Sequence, residues 1–518
     1  MRISSTLFFQ TGLNSINAQQ SDLMHLYQQI GSGQRMVTPA DDPLAAAQAI
    51  NISQAQSMNK RYGDNREVAM RNLGTEENAL TSVTLLLQDV KTRLVEVGNG
   101  TLSDADRATL SSVLSSARSS LLGLANSTDG SGQYLFSGAK GGVAAFQDDN
   151  GKIVYKGDAG QRLIQADQTR QIAGSDVGSD IFSRAASGTT DYLSRAATAP
   201  ANTGTGVMSK PSIADPAGAN IGNRFIISFT SATDYEVDVI DPLGIPVPGY
   251  PVTQSYSAGA AGASTSLSLP GGVQVNFSGA PLNGDTFVVE PANSPAFVAG
   301  KGVAVGTASI GSPKLYDYSL VRDATTFEIE FDTPPNTYTV AVKDIGGTLL
   351  ETKSGQPFTP GRENVLQLPR GMEVKISGTP VAGDTFTINQ APVAAQTDLN
   401  IFDTLDSIIK SLEIPLQGND VATAAFQNTL ATAMQRIDVN YNNVLTVRSS
   451  VGSRMNELES LNANGNLRAL SYSSTLSKME DLDYYSATAQ LQLRTSALEA
   501  AALAFKKIQA TSLFNMKG

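Results

Sequence analysis

The chain has 518 residues, of which 41% are apolar and 16% are charged, so it is long enough to build several domains with buried cores. Its 37 basic and 48 acidic residues give a net charge of −11. No window concentrates Lys and Arg in a stripe that could neutralise phosphates, which argues against nucleic acid as a partner. The absence of cysteine excludes disulfides, thiolate zinc sites and thiol nucleophiles.

The first residues, MRISSTLFFQTGLNSI, contain no continuous apolar run of the length of a signal peptide. Nowhere do about 18 apolar residues follow one another, as a membrane span requires. We therefore expect no membrane insertion. The chain is expected either to stay in the cytoplasm or to leave the cell by a route without a cleaved signal.

Apolar residues in the first part of the chain recur at alternating intervals of four and three, the spacing of a helix seam. The first seam consists of Phe9, Leu13, Ile16, Leu23, Tyr27 and Ile30, with Gln20 at its one polar position. The second, longer seam consists of Ala69, Leu73, Glu76, Leu80, Val83, Leu87, Val90, Leu94 and Val97. The pattern predicts two long helices, each with one buried face.

The stretch between these seams, GSGQRMVTPADDPLAAA (31–47), contains the residue types that end one helix and begin another. Gly31 or Gly33 is expected to adopt the left-handed conformation that ends a helix. Pro43 suits the first position of the next helix, and Asp41 or Asp42 before it can cap the exposed amides. We therefore predict a helix–turn–helix corner and not a ligand site.

The chain changes from helical to strand character after residue 138. Before that point, Ser103 and Asp106 have the spacing of a capping box and predict a third helix. FQDDNGKIVY then predicts a hairpin, because Asn150 and Gly151 suit a tight turn between strands. Residues 185–222 are rich in Ala, Ser, Thr, Gly and Pro without a sustained period, and are expected to form a surface connection.

The middle of the chain contains an internal repeat. LPGGVQVNFSGAPLNGDTFVVEPAN (269–293) aligns with LPRGMEVKISGTPVAGDTFTINQAP (368–392). Within each copy the apolar residues alternate, which predicts antiparallel strands buried on one face. The repeat indicates two copies of one β-module.

Helical periodicity returns near residue 398 and continues to the end. One seam lies on a long helix and consists of Phe426, Leu430, Ala433, Ile437, Val444, Val451, Met455 and Leu458. We predict a multidomain α+β protein in which both termini form an elongated antiparallel helical bundle or coiled coil, with antiparallel β-modules inserted in the middle. The expected domains are 1–35 with 481–518, 36–185 with 397–480, 205–296, and 303–394.

Residues for catalysis or metal binding are scarce. His25 is the single histidine and is expected to be an ordinary histidine on a helix surface, so base-assisted nucleophilic catalysis and transition-metal clusters lack their usual groups. Neighbouring carboxylates occur, but each has a capping or turn position that explains it. We predict no catalytic, cofactor-binding or metal-binding residue and therefore no enzyme.

The last helix has apolar residues along two tracks, which requires packing partners on more than one side. An isolated amphipathic helix pair is marginal in water, because ordering a residue costs about 1–2 kcal/mol while burying a Leu or Ile returns about 1.5–3 kcal/mol. We therefore predict that the chain self-assembles through its termini.

Several stretches resemble the bacterial flagellin family, and in particular its hook–filament junction members. They are SGQRMVTPADDPLAAAQA (32–49), the first residues, VGNGTLSDADRATL (97–110), LANSTDGSGQYLFSG (124–138) and LEAAALAFKKIQATSLFN (498–515). The resemblance covers about 1–185 and 397–518. It implies a secreted structural subunit of the flagellum that is exported by the type III apparatus and joins hook to filament.

The resemblance also implies partners and assembly residues. The expected partners are the chain itself in a ring, a neighbouring hook-associated protein, flagellin, and an export chaperone that binds the C-terminal helix. By position, the implied subunit-assembly residues are Ile3, Leu7, Phe9, Leu13, Ile16, Leu23, Ile30, Leu482, Leu491, Leu498, Phe505, Leu513 and Phe514.

Two features depart from the family: the β-repeat makes the central insertion long, and the chain ends in the less apolar MKG. Two other functions stay open at this point. The chain could be a flagellin-like filament subunit, or a surface adhesin that binds through its paired β-modules.

Overall fold

The computed structural model describes residues 5–158, 160–186, 189–215, 222–242, 244–257, 263–293, 297–311, 313–315, 326–344, 346–391 and 399–514. Long helices lie at both ends of the chain, and antiparallel strands occupy the middle, which confirms the α+β class. None of the helices in these residues is both long enough and apolar enough to cross a membrane.

The helices are α1 Ser5–Ser32, α2 Pro43–Val97, α3 Asp104–Ala125, α4 Gly178–Phe182, α5 Ile401–Leu412, α6 Asp420–Glu480 and α7 Tyr484–Phe514. The seam predicted on α2 is buried from Ala69 to Val97, so the spacing of four and three identified its packed face correctly. The predicted capping box is also present, because Asp106 N–H donates to Ser103 Oγ and Ser103 N–H donates to the Asp106 carboxylate.

The first strands form short two-stranded sheets. They are β1 Phe146–Asp149, β2 Lys152–Tyr155, β3 Leu163–Asp167 and β4 Arg170–Ala173. Strands β1 and β2 are the predicted hairpin, with Asp149 opposite Lys152. Both turn residues have the positive φ that this turn requires, 56° at Asn150 and 85° at Gly151.

The remaining strands build the two β-modules. Those of the first module are β5 Tyr192–Ala196, β6 Val207–Met208, β7 Ser212–Ile213, β8 Arg224–Phe229, β9 Asp234–Ile240, β10 Val252–Ser255, β11 Thr265–Leu269, β12 Val273–Ser278 and β13 Thr286–Pro291. Those of the second are β14 Phe297–Lys301, β15 Ser309–Ile310, β16 Lys314–Leu315, β17 Thr326–Phe331, β18 Thr337–Lys343, β19 Leu349–Pro357, β20 Asn364–Leu368, β21 Met372–Ser377 and β22 Thr385–Gln390.

The two modules have the same topology. The larger sheet of the first has the strand order β10-β9-β8-β13-β5, and that of the second has the equivalent order β19-β18-β17-β22-β14. Each module also has a smaller sheet, centred on β12 or β21, and one cluster of buried aromatic and aliphatic side chains. The sequence repeat therefore corresponds to a structural repeat.

The expectation of a surface connection over residues 185–222 is wrong for two segments. Tyr192–Ala196 is the edge strand β5 of the first module, and Val207–Met208 is strand β6, whose Met208 is buried in the core of that module. Tyr192 contributes to the core of that module, whereas Leu193 packs with Leu399 and Val439 of the helical region. A five-residue strand buried on both faces has no alternating pattern, because its burial depends on partners that lie far away in the sequence.

The described residues divide into two compact units. One contains the described residues up to Val68, Gln165–Gln171 and the described residues from Asn456 onward. The other contains Ala69–Ile164 and the described residues within Ile172–Met455. The boundaries of the four domains expected from the sequence remain a prediction.

Candidate assembly surface

The candidate functional surface lies on helices α1 and α7, which pack against each other within the first unit. A Cβ atom at Gly12 would lie 3.1 Å from the ring of Phe505, so the glycine permits close approach of this ring to α1. An ion pair also joins the helices, with 2.6 Å between Arg494 Nη1 and Asp22 Oδ2. We call α1 and α7 together the terminal helix pair.

The terminal helix pair buries its predicted assembly residues only in part. The residues that are half-buried are Ile16, Leu23, Ile30, Leu482, Leu491, Leu498 and Phe505. Leu7 and Leu13, which belong to the same predicted set, are exposed. Ile3 lies outside the described residues, as do the side chains of Phe9, Leu513 and Phe514, although the backbone of these three is helical.

The seam predicted on α1 is wrong at Leu13 and Tyr27, which are exposed, and it omits Leu26, which is buried. Around a helix with 3.6 residues per turn, Leu26 lies about 100° from Tyr27, so the buried face of α1 is offset from the predicted seam. On α7 the buried residue Ala487 lies outside the predicted set as well.

Helix α7 has an exposed apolar face. On α7, Tyr485 is 91% exposed, Leu493 72% and Leu503 69%. These three residues lie within about 80° of one another around a helix with 3.6 residues per turn. On α1, Met24 and Tyr27 are exposed too. Large apolar side chains collected on one surface are typical of a protein–protein contact.

The corner between α1 and α2 begins where α1 ends. Of the two glycines expected to end the helix, Gly33 has the left-handed conformation, with a φ of 73°. Its N–H donates to Gln29 O at 2.9 Å and closes the last turn of α1. A Cβ atom at this position would lie 3.0 Å from Tyr484 Oη. Gly31 lies inside the helix with no atom near its missing Cβ, so Gly33 is the residue that turns the chain.

The two aspartates of the corner have different roles. Asp42 accepts a hydrogen bond from Ala45 N–H at 3.0 Å and caps α2, whose first residue is Pro43. Asp41 instead accepts from Thr38 N–H at 2.9 Å and folds the preceding turn. This hydrogen bond from the Thr38 backbone is the main reason that the pKa of Asp41 lies below its ordinary value.

Contacts with distant residues, which the sequence analysis missed, hold the corner in place. His25 lies at the surface of α1 with its side chain 39% exposed, as expected, and its Nε2 lies 3.1 Å from Asp41 Oδ1. Arg35 N–H donates to Glu480 O at 2.7 Å, and Leu482 N–H donates to Gly33 O at 3.0 Å. The corner is therefore joined by backbone hydrogen bonds to the segment between α6 and α7. Hydrogen bonds to backbone atoms leave no side-chain pattern that could have revealed them.

Comparisons with known proteins point to one family. A family model described as the bacterial flagellin N-terminal helical region matches residues 3–141. Flagellar hook-associated protein 3 of Escherichia coli (strain K12) and that of Salmonella typhimurium (strain LT2) are each 39% identical to this chain over 182 residues. These matches confirm the resemblance that the sequence motifs indicate.

The matched segment is 35% of this chain, and the chain spans 57% of the length of each of these two relatives. Among solved structures, the flagellar hook associated protein-3 from Legionella pneumophila is 22% identical, with a TM-score of 0.48. That alignment covers 83% of this chain and 98% of the Legionella chain.

Proposed function

We propose that this chain is a secreted structural subunit of the bacterial flagellum, and that it joins hook to filament through its terminal helix pair. The observation that carries the proposal is the exposed apolar surface of α7, where Tyr485, Leu493 and Leu503 are largely uncovered. Similarity to proteins named flagellar hook-associated protein 3 supports the location at the junction.

The energetics favour assembly through this surface. Burying one large apolar side chain contributes about 1.5–3 kcal/mol, so three such residues on α7 supply several kcal/mol per contact with a neighbour. Part of that free energy offsets the ordering of side chains at the interface. In a ring of subunits the same contact recurs between each adjacent pair, so every copy is bound by two neighbours.

The proposed partners follow from the same surface. They are further copies of the chain in a ring, a neighbouring hook-associated protein and flagellin. We also propose an export chaperone that covers the apolar face of α7 before assembly, since an uncovered face of this kind promotes aggregation. The relatives are named for their place in the flagellum, and we propose a role without catalysis for this chain as well.

The test is a triple variant, Tyr485→Ser, Leu493→Ser and Leu503→Ser, expressed in the flagellated bacterium. We expect secretion to continue while filaments detach into the medium, which electron microscopy and the mass of shed filament measure. The matched control is Ile245→Ser with Leu349→Ser, which removes exposed apolar side chains from the β-modules. If filaments stay attached in the triple variant, the proposal is wrong.

Copy number separates this proposal from the filament alternative. A junction subunit is present in a small, constant number per flagellum, whereas a filament subunit scales with filament length. Quantitative mass spectrometry of sheared flagella of different lengths measures this ratio. A copy number that grows with filament length would favour the flagellin-like function.

A further inference from the structure

A cavity of about 340 Å³ lies at the corner between α1 and α2, within the first unit. Met36, Val37, Pro39 and Ile50 give it apolar walls, and Glu480 of α6 lines it as well. We call this cavity the corner pocket. Its volume is in the range of ligand pockets, and apolar walls beside a carboxylate suit a long cationic side chain, whose aliphatic stem packs against the walls.

The carboxylate of the pocket, Glu480, is the last residue of α6. The C-terminal end of a helix carries partial negative charge, which disfavours a carboxylate there and favours a cation nearby. In the part of the chain that the structure describes, the Glu480 carboxylate has no ion-pair or hydrogen-bond partner. The neighbouring aspartates differ, because Asp41 Oδ1 lies 3.1 Å from His25 Nε2 and Asp42 Oδ2 lies 3.6 Å from Arg35 Nη2. The corner pocket therefore has one carboxylate that a cation from outside can pair with.

The two ends of the terminal helix pair have opposite charge. The corner is acidic, because Arg35 and Lys478 are outnumbered by the carboxylates of Asp41, Asp42, Glu480, Asp481 and Asp483. At the other end, residues 5–21 of α1 contain no charged residue, and residues 500–514 of α7, which we call its free end, contain only Lys506 and Lys507. Opposite charges on two different surfaces of one molecule favour a contact in which these surfaces of neighbouring copies meet.

Lys506 has the chemistry that the corner pocket requires. Its side chain is exposed and has no ion-pair partner among the described residues. Leu503, three positions earlier on the same side of α7, is 69% exposed. The free end of α7 therefore presents an ammonium group beside an apolar side chain, which complements a carboxylate beside apolar walls.

Helix geometry keeps Lys506 away from the corner pocket of its own copy. Helix α7 begins at Tyr484, which lies next to Gly33 of the corner, and Lys506 follows about 33 Å further along the helix axis. At that level Phe505 packs beside Gly12, near the start of α1, whereas the corner follows the end of α1. A Lys506 side chain that fills the pocket therefore belongs to a second copy.

We infer that the corner pocket of one copy binds the free end of α7 of a second copy, with Lys506 paired with Glu480 and Leu503 against the apolar walls. The inference deepens the proposed function and rests on it, because that function places copies side by side. A contact between two different surfaces repeats from copy to copy and closes into a ring when the rotation between copies allows. The charges determine which surfaces meet, and the apolar contacts supply binding free energy.

The absence of cysteine from the chain permits a specific crosslinking test. One set of copies carries Ser53→Cys, in the lining of the corner pocket, and another set carries Ala502→Cys, at the free end. Flagella that contain both sets are treated with a short bismaleimide and analysed by mass spectrometry. We expect crosslinks between positions 53 and 502, which can only join two copies. The control Ser449→Cys, at an exposed position of α6 away from the corner, should give at least tenfold fewer crosslinks to position 502.

Charge reversal tests the ion pair within this contact. Glu480→Lys or Lys506→Glu alone should lower the yield of crosslinks between positions 53 and 502 about tenfold, because attraction becomes repulsion. The two substitutions together should restore most of the yield, which excludes misfolding as the cause of the loss. Lys140→Glu, at an exposed lysine far from both surfaces in the sequence, is the matched control and should leave the yield unchanged.

Three results would each overturn the inference: no crosslinks between positions 53 and 502, an equal yield from the Ser449→Cys control, or crosslinks from position 53 to another flagellar protein in their place. Failure of the double charge reversal to restore the yield would overturn the pairing of Lys506 with Glu480. If the protein is present at the junction without these crosslinks, only the corner contact is refuted. Absence of the natural protein from flagella would refute the proposed function as well.

Discussion

The terminal helix pair and the β-modules differ in how completely they bury their apolar side chains. In the second module, Phe327, Phe331 and Phe386 are enclosed by strands of the same chain. On α7, large side chains such as Tyr485 and Leu493 have no cover from the described residues. A two-layered β-module closes its own core, while two helices side by side cover only one face of each other. The modules therefore bury their cores within the chain, whereas part of the apolar surface of the terminal helix pair stays exposed.

Removing residues 484–518 is the strongest way to test this contrast. We expect filaments to detach and the secreted protein to remain monomeric, because the deletion removes α7 and its exposed face. The unfolding transition of the β-modules, followed by near-UV circular dichroism, should be unchanged. Loss of that transition would contradict the independence of the modules.

The reciprocal deletion of residues 205–394 is the control for the first. We expect filaments to stay attached, since the terminal helix pair is retained. The same variant tests the adhesin alternative, because loss of surface attachment with normal motility would favour binding by the β-modules. Detached filaments in this variant would show that the insertion takes part in joining hook to filament.

A substitution in a module core should cost much more stability than one on the exposed helix face. Phe386→Ala is expected to lower the free energy of unfolding of the second module by about 3–5 kcal/mol, because it removes a fully buried ring. Leu503→Ala should change the stability of the monomer by less than about 0.5 kcal/mol. Urea denaturation of the two monomeric variants measures both values, and similar losses would argue that the α7 face is already buried in the monomer.

Helix α2 differs from the terminal helix pair, because it buries even the ionisable side chain of Glu76. Glu76 is fully buried on α2, where Asp176 N–H donates to Glu76 Oε1 at 3.1 Å and Arg454 is paired with Asp176. Burial, and next the Asp176 carboxylate, raise the pKa of Glu76 well above its ordinary value of 4.5. Folding therefore takes up a proton at Glu76.

The sign of the pH dependence follows from this raised pKa. The stability that Glu76 contributes is complete below about pH 4.5, the pKa in the unfolded chain, and is lost as the pH rises through the pKa in the folded chain. One proton corresponds to a slope of about 1.4 kcal/mol per pH unit in that window. Glu76→Gln should remove this slope in urea titrations at a series of pH values. An unchanged slope in the variant would exclude Glu76 as its source.

The smallest expected effects concern the two glycines of the corner. Gly33→Ala should destabilise the first unit by about 1 kcal/mol, because alanine is strained at a φ of 73° and its Cβ would crowd Tyr484. Gly31→Ala should stabilise the same unit by about 0.5–1 kcal/mol, since this position is helical and open. Thermal unfolding followed by circular dichroism at 222 nm compares the two, and equal shifts would mean that the corner does not depend on Gly33.

Local features of the molecule were predictable from the sequence. The capping box of α3, the Asn150–Gly151 turn and the buried face of α2 all depend on residues a few positions apart. The repeat of the β-modules was visible for a related reason, since two copies of one fold need the same alternation of buried residues. The terminal seams predicted that both chain ends are helical, and the assembly role of their residues stays a prediction.

Only the tertiary structure decided which faces of the helices and strands pack against other elements. Ser194 meets Gln435 across 241 positions of sequence, and no local pattern indicates that pair. The same holds for the burial of Leu26 in place of Tyr27 and for the contact of His25 with Asp41. Short-range interactions determine helix, turn and strand, whereas burial depends on the distant surfaces that folding brings together. The sequence by itself therefore determined the helices, strands and repeat. The tertiary structure decided that the β-modules bury their apolar cores while the terminal helix pair keeps an exposed apolar face.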